Sequence, residues 1–278
     1  MQITEPNMGR SVGEGSREGD LENKVLAEGR EGSPNNYSFE RHTALSDWST
    51  PRHTHDFDQV RYFLEGEYIY GKNDKGPPGW VGFFPAGTYY GTQIRKKGST
   101  VINCQFGAAD GVGYASRRQR RAAADVLLGK GRFEGGIFTF VDEQGRRHNQ
   151  DGSEAVTEQV FGRKVAYPAA RYHQPILMNP DAFRWVEMAG SPGIATKWLG
   201  SFSEREARFG FLRVDPGATF QAGLHASPEL LFLSEGSVRC RGRAYPRHSA
   251  FAFDALEGPV ALEGVEPAIL FRIHLPTF

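Results

Sequence analysis

The stretch PRHTHDFDQVRYFLEGE, residues 51–67, is the most informative part of this sequence. Its second half alternates apolar and polar residues, which is typical of a β-strand. Gly66 follows where a tight turn requires a positive φ. His53 and His55 are two residues apart, so on one strand their imidazoles project from the same face. Two imidazoles on one face are a natural pair of metal ligands.

Composition extends this picture to the whole chain. The 278 residues include 34 Gly, 16 Pro and 20 Phe, which predicts a mainly β protein with many tight turns. The 33 basic and 33 acidic residues cancel, which argues against a general nucleic-acid binder. The sequence has no apolar run long enough to span a membrane and no secretory pattern at its start. Cys104 and Cys240 are too few for a disulfide scaffold, so we expect a cytoplasmic protein with reduced thiols.

Strand and turn patterns occur in two blocks, separated by a stretch with helical character. We predict an N-terminal arm over residues 1–36, a first β-module over 37–112, a connector over 113–192 and a second β-module over 193–278. Inside the connector, the sequence predicts a helix over 116–128, capped by Ser116, and a hairpin over 136–148. A second helix is predicted over 152–162 and a capped turn of helix over 179–186.

The spacing of the first motif resembles that of the cupin superfamily. The cupin motif reads His-x-His, three or four residues, Glu, six residues, Gly. Here His53 and His55 are followed by three residues, Gln59, six residues and Gly66. Gln59 therefore stands where the family has its glutamate.

The second cupin motif reads Gly, five residues, Pro-x-Gly, two residues, His, three residues, Asn. This chain has Gly79, five residues, Pro85-x-Gly87, two residues and Tyr90, with Ile94 in the asparagine place. Every glycine and proline of the pattern is present, whereas two of the four ligand positions are changed.

A weaker copy of the first motif occurs in the second module. Gly223-x-His225, three residues, Glu229, six residues and Gly236 repeat its spacing, with Gly223 in place of the first histidine. The chain as a whole thus resembles a bicupin. The resemblance implies an all-β fold of two small antiparallel β-barrels joined by a short, partly helical connector. We expect His225 and Glu229 to have a packed or hydrogen-bonded role in the core and to hold no metal.

The resemblance implies a divalent metal, Fe, Mn, Ni or Zn, in the first barrel. Its predicted ligands are His53, His55, Gln59 and Tyr90, with Gln59 and Tyr90 also acting in catalysis. A phenolate at Tyr90 would restore the ligand charge that is lost when glutamate is replaced by Gln59. The alternative is a polar pocket without metal, in which Gln59 and Tyr90 hydrogen-bond to the two histidines.

Three functions stay open at this point. The first is a metal-dependent enzyme acting on a small organic molecule, by resemblance a dioxygenase, with isomerase or lyase chemistry as further options. The second is a small-molecule-binding module without turnover, and the third a structural bicupin. By resemblance, and because open sheet edges are often covered by a partner subunit, we expect a homodimer that binds neither nucleic acid nor membrane.

Several other polar residues are given structural roles. We expect the four arginines at 117, 118, 120 and 121 to form a solvated or salt-bridged helix face, the alternative being a site for an anionic ligand. Asp56 and Asp58 are interpreted as exposed turn carboxylates, the alternative being that they orient an imidazole. His42 and His173 are interpreted as structural or surface histidines, the alternative being that they approach one of the two pockets.

Overall fold

The structure, a computed structural model, describes residues 1–6, 10–12 and 20–278, with the backbone alone for 10–12. Within this part of the chain the protein is almost entirely β, and the named strand pairs are all antiparallel, which confirms the predicted fold class. The strands are, in chain order, β1 (Gln2–Thr4), β2 (Arg10–Val12), β3 (Leu21–Glu28), β4 (Tyr37–Ala44), β5 (Trp48–Thr50), β6 (Phe57–Glu65), β7 (Tyr68–Ile69), β8 (Lys75–Gly76), β9 (Val81–Phe84), β10 (Gln93–Arg95), β11 (Thr100–Gly107), β12 (Gly131–Glu134), β13 (Ile137–Val141), β14 (Arg147–Asp151), β15 (Ile176–Met178), β16 (Val186–Glu187), β17 (Ile194–Phe202), β18 (Ala207–Val214), β19 (Thr219–Ala222), β20 (Glu229–Glu235), β21 (Val238–Cys240), β22 (Arg243–Tyr245), β23 (Ala250–Phe253), β24 (Val260–Gly264) and β25 (Ala268–His274).

Each module consists of one large and one small sheet. The N-terminal module combines the seven-stranded sheet β15-β9-β6-β11-β4-β3-β2 with the four-stranded sheet β5-β10-β7-β8. The C-terminal module combines the seven-stranded sheet β1-β23-β20-β25-β18-β17-β16 with the four-stranded sheet β19-β24-β21-β22. Because side chains alternate between the two faces of a strand, one face of each large sheet looks into its own module and the other looks outward.

The outward faces of the two large sheets pack against each other. One apolar cluster contains buried residues from both, namely Phe39, Val60, Phe83 and Ile102 with Phe209, Phe211, Phe232 and Phe271. The ring centroids of Phe83 and Phe202 are 4.6 Å apart across this contact. Burial of this much aromatic surface stabilises the association of the modules.

The glycines that end the two motif strands have the conformation that the sequence predicts. Gly66 has φ +74° and Gly236 has φ +72°. A Cβ at position 236 would lie 2.0 Å from the carbonyl oxygen of Pro267. Both the backbone conformation and the close neighbour therefore require glycine.

The connector contains the predicted helices. Helix α1 (Arg117–Leu128) begins after Ser116, whose hydroxyl accepts a hydrogen bond from the amide of Gln119 in a capping box. Helix α2 (Gly152–Phe161) follows the hairpin β13–β14, and a single 3-10 turn forms at Pro180–Ala182. Neither α-helix of the described residues has the length and hydrophobicity needed to cross a lipid bilayer.

Strands from the predicted arm and from the connector belong to both large sheets. Strand β1 pairs with β23, whereas β3 pairs with β4. Strand β15 pairs with β9, and β16 pairs with β17. The predicted arm is therefore built into the sheets through the pairing of β1 and β3, because each contributes backbone hydrogen bonds to an adjacent strand. The predicted domain boundaries and the homodimer stay predictions.

Candidate functional site

The interiors of the two modules differ in chemistry. The space between the sheets of the C-terminal module is filled by buried apolar side chains, among them Leu231, Phe251 and Leu262. The corresponding face of the N-terminal module carries buried polar residues from β4, β6 and β11, namely Ser38, Glu40, His42, Gln59, Arg61 and Asn103. Burying so many polar groups costs free energy unless they are paired, and it contributes nothing to a hydrophobic core. This asymmetry distinguishes the N-terminal module as the candidate site.

The two motif histidines lie at one side of this polar interior. His53 forms an isolated antiparallel bridge with Tyr90, and His55 follows in a segment outside the named strands. Their ring centroids are 4.8 Å apart, and both side chains line the same cavity. Nδ1 of His53 lies 2.7 Å from the carbonyl oxygen of Pro51, and its Nε2 lies 3.0 Å from Nε2 of Gln93. A carbonyl only accepts, so Nδ1 donates to Pro51 and Nε2 accepts from Gln93.

Arg61 connects the other two predicted ligands. Its guanidinium donates to Oε1 of Gln59 at 2.7 Å and to the hydroxyl of Tyr90 at 3.3 Å. It also donates to Oδ1 of Asn103 and Oε1 of Gln93, at 3.3 and 3.2 Å, and to the hydroxyl of Tyr68. Nε2 of Gln59 donates to the Tyr90 hydroxyl at 2.8 Å. Sequence analysis missed Arg61, although its position two residues after Gln59 places it on the same face of β6.

These contacts do not fit a metal shell made of His53, His55, Gln59 and Tyr90. The amide oxygen of Gln59 already accepts hydrogen bonds from Arg61 and from Gln105, which occupy both of its lone pairs. The guanidinium brings a fixed positive charge to the two oxygens that would have to face a cation. Among the described residues, no group of three or more His, Cys, Asp or Glu is arranged to hold a metal ion.

The cavity next to this network has a volume of about 70 Å³. It is lined by basic and neutral polar side chains and by a few apolar ones, which include His42, His53, His55, Arg61, Arg95, Arg120, Gln93, Asn103, Gln105, Tyr114, Ser153, Trp48 and Phe57. None of the described lining residues is an aspartate or a glutamate. The cavity is far smaller than the 300–1,000 Å³ that drug-sized ligands occupy, and it matches a molecule of few heavy atoms.

Two further polar residues of this module are buried. Asp58 is 5% exposed, so its interpretation as an exposed turn carboxylate is wrong. Its carboxylate is accommodated in the interior by a hydrogen bond from the amide of Ala86, at 2.8 Å. Burial raises the pKa of Asp58 to about 6. His42, on β4, also lines the cavity, and its Nε2 lies 2.6 Å from a carboxylate oxygen of the buried Glu40.

The arginines of α1 fix the helix to the module. Arg117 donates two hydrogen bonds to the carboxylate of Glu40, and Arg118 forms an ion pair with Glu31. Arg120 donates to Ser153 and Thr157 of α2 and lines the cavity. The salt-bridged face predicted for α1 is therefore present, and it also reaches the interior of the N-terminal module.

The corresponding position in the C-terminal module holds a buried ion pair. Glu229 accepts hydrogen bonds from Nε of Arg272 at 2.7 Å and from the amide of Gly223 at 2.9 Å. His225 stacks on His274 with ring centroids 3.7 Å apart. Glu229 thus has the hydrogen-bonded core role that the sequence predicts.

The buried His274 makes stability depend on pH. Burial lowers the pKa of His274 to about 4, against the opposing effect of its contact with Glu229. Above the unfolded pKa of about 6.5, His274 is neutral in both states and the fold keeps its full stability. As pH falls from 6.5 towards 4, the unfolded chain gains a proton that the folded protein does not, and stability is lost. Urea unfolding of wild type should show a loss about 3 kcal/mol larger between pH 6.5 and 4 than unfolding of His274→Gln. His173→Gln, at an exposed histidine, is the control and should lose as much unfolding free energy as wild type. Equal losses in wild type and His274→Gln would contradict this prediction.

Comparison with known proteins supports the fold alone. No protein-family model and no curated protein sequence matches the chain. Among solved structures, a protein from Nostoc punctiforme provisionally named a dioxygenase is 10% identical, with a TM-score of 0.63, over 99% of this chain and 82% of that one. HEPD from Streptomyces albus, with 2-hydroxyethylphosphonate and Fe(II) bound, is 12% identical, with a TM-score of 0.58, over 99% and 76%.

A variant of oxalate decarboxylase from Bacillus subtilis gives a similar match. It is 12% identical, with a TM-score of 0.55, over 100% of this chain and 78% of that one. These neighbours are cupins, and they match the chain over both of its modules. The chain therefore has the fold of the cupin superfamily.

Proposed function

We propose that the N-terminal module is the functional site and that it binds a small organic anion. Arg61 carries this proposal. Its side chain is buried, at 4% exposure, and its hydrogen bonds go to neutral oxygens of glutamine, asparagine and tyrosine. A buried guanidinium with neutral partners is a costly arrangement, and a carboxylate or phosphonate in the cavity would compensate its charge.

The surroundings of Arg61 support an anion of a few heavy atoms. Arg95 and Arg120 line the same cavity, so a ligand there would meet guanidinium donors from several sides. Phe84 lies beneath the guanidinium, with 4.3 Å between Arg61 Cζ and the ring centroid, and this contact holds the guanidinium plane. The cavity volume of about 70 Å³ excludes larger substrates such as nucleotides or oligosaccharides.

The second candidate is the metal-dependent, dioxygenase-like enzyme that the sequence predicts. Its supporting observation is the pair His53 and His55, whose rings reach one cavity. The names of two structural neighbours, a provisional dioxygenase and an Fe(II)-bound enzyme, agree with it. The divalent metal would supply Lewis-acid or redox chemistry. This candidate requires Gln59 and Tyr90 to give up their contacts with Arg61.

One experiment separates the two candidates. The full chain is purified without chelators, its Fe, Mn, Ni and Zn content is measured, and calorimetry follows the binding of acetate, oxalate, malonate and pyruvate before and after treatment with EDTA. We expect less than about 0.1 metal ion per chain and at least one carboxylate that binds equally well after EDTA. Stoichiometric metal, with binding that disappears after EDTA, would favour the metal-dependent enzyme. Failure of every carboxylate to bind would contradict the anion site.

A further inference from the structure

A second group of buried side chains borders the cavity, on β4. Glu40 is 1% exposed and His42 is 7% exposed, and His42 lines the cavity. We infer that Glu40 and His42 form a proton-transfer pair, in which Glu40 orients His42 and His42 accepts a proton from an anion bound beside Arg61. This inference rests on the proposed anion site and adds the type of reaction that occurs there.

The contacts of Glu40 determine which nitrogen of His42 carries the proton. The carboxylate accepts hydrogen bonds from the hydroxyl of Ser38 and from Nε and a terminal nitrogen of Arg117. Burial alone would raise the pKa of Glu40, but the hydrogen bonds from His42 and Arg117 outweigh it and hold that pKa well below its usual range. An ionised carboxylate only accepts, so Nε2 of His42 must donate across the 2.6 Å contact.

The other ring nitrogen of His42 is then left with a lone pair. Nδ1 is buried and has no hydrogen-bond partner among the described residues. Asn23, which lies opposite His42 in the register of β3 and β4, does not satisfy it, because neither amide atom of Asn23 makes a hydrogen bond within the part of the chain that the structure describes. A buried acceptor without a partner costs roughly 1–3 kcal/mol, which is a reason to expect a functional use for it.

Burial and the charges around His42 keep its imidazole neutral, so the lone pair of Nδ1 is available to accept a proton. Burial is the largest influence and lowers the pKa of His42. The positive charges of Arg95, on β10, and Arg117, on α1, act in the same direction, whereas Glu40 opposes them. At neutral pH His42 is thus ready to accept a proton at Nδ1, which is the requirement for a general base.

The reaction that suits this arrangement is removal of a proton from a carbon next to a carbonyl group of the anion. Nδ1 of His42 takes the proton, and the electron pair of the broken C–H bond moves into the substrate to form an enolate. The new negative charge would develop near Arg61 and Arg95, which stabilise it. Return of the proton from His42 completes the cycle, so no oxidant or further reactant is needed.

A purely structural role of Glu40 and His42 would require different contacts. The ion pairs of Glu40 with Arg117 and of Glu31 with Arg118 attach α1 to the module, and neither requires a histidine at position 42. Most buried side-chain polar atoms have a hydrogen-bond partner, and Nδ1 of His42 has none among the described residues. In the described part of the chain, His274 also has an unpaired buried Nδ1, but it does not line this cavity, whereas His42 combines an unpaired nitrogen with a place in the cavity wall.

The test uses the full chain with ¹⁵N-labelled histidine and pyruvate as the probe. NMR should show that His42 is protonated at Nε2 and not at Nδ1 at pH 7. Glu40→Gln should change the ratio of these two tautomers. In D₂O, wild type should accelerate the exchange of the pyruvate methyl hydrogens, and His42→Gln should lower that rate by about 100-fold or more. Calorimetry should show that His42→Gln still binds pyruvate. His173→Gln, at an exposed histidine, serves as the matched control.

The outcomes separate the pair from the anion site. A proton on Nδ1 of His42 at pH 7 would overturn the inference whether or not any anion binds. Binding of pyruvate without faster exchange, or exchange that survives in His42→Gln, would also overturn it and leave the anion site intact. If pyruvate and the other carboxylates fail to bind, the proposed function fails, and the protonation state of His42 still decides whether the pair is set up as described.

Discussion

An Arg61→Met variant should lose at least about 3 kcal/mol of binding free energy for a carboxylate, which is roughly a 100-fold rise in Kd. The guanidinium is the buried cation at the centre of the hydrogen-bond network and it lines the cavity. Methionine retains much of the apolar volume beside Phe84 but provides neither charge nor donors. Isothermal calorimetry with the tightest carboxylate of the wild-type panel is the measurement.

Two controls make this prediction specific. Arg61→Lys keeps the charge and loses the planar fork, so its affinity should lie between those of wild type and Arg61→Met. Arg118→Met removes an arginine whose side chain is 81% exposed and should leave Kd unchanged. Far-ultraviolet circular dichroism verifies that each variant is folded. An Arg61→Met protein that is folded and binds with wild-type affinity would exclude Arg61 from the site.

Glu229→Leu is expected to destabilise the protein by about 3–5 kcal/mol, because it leaves the guanidinium of Arg272 buried without a countercharge. Arg272 and Glu229 are 9% and 1% exposed, and the rings of Trp198 and Phe220 lie against the guanidinium of Arg272. The free energy of unfolding from urea titration at pH 7 is the relevant quantity. Anion binding in the N-terminal module should persist under conditions where the variant is folded.

The matched control is the double variant Glu229→Leu/Arg272→Met. Removal of both charges at once eliminates the desolvation cost of the pair, so the double variant should recover most of the lost stability. A double variant that is as unstable as Glu229→Leu would contradict this prediction, because the unpaired charge of Arg272 would then not be the cause of the lost stability. The hydrogen bond from the amide of Gly223 to Glu229, which both variants lose, would then be the next contribution to measure.

The sequence motif was sufficient to predict the fold, because the spacing of residues within one short segment indicates the strand and the turn that follows it. The run from His53 to Gly66 combines a strand pattern with a turn glycine, and this combination repeats from His225 to Gly236. Capping chemistry likewise predicts α1, since a serine three residues before a glutamine satisfies the first amides of a helix. Such features depend on neighbours in the sequence and can be interpreted without coordinates.

The network around the site depends instead on the register between distant strands. Asn103 of β11 lies opposite Arg61 of β6 and also opposite Glu40 of β4, and no pattern within one segment reveals this alignment. The pairing of His42 with Glu40 is visible only as two polar residues with an i, i+2 spacing. An interpretation of Glu40 as a solvated strand residue would have been equally consistent with the sequence, since burial of an acid depends on partners such as Arg117.

The aromatic contact between the two large sheets has a consequence for how this protein could be divided. Either half alone would present to water the phenylalanines that now cover one another, and an exposed apolar patch of that kind promotes association and precipitation. Strand β1 adds a second obstacle, because it belongs to the sheet of the opposite half. We therefore expect either half expressed alone to precipitate, because each half covers the apolar sheet face of the other.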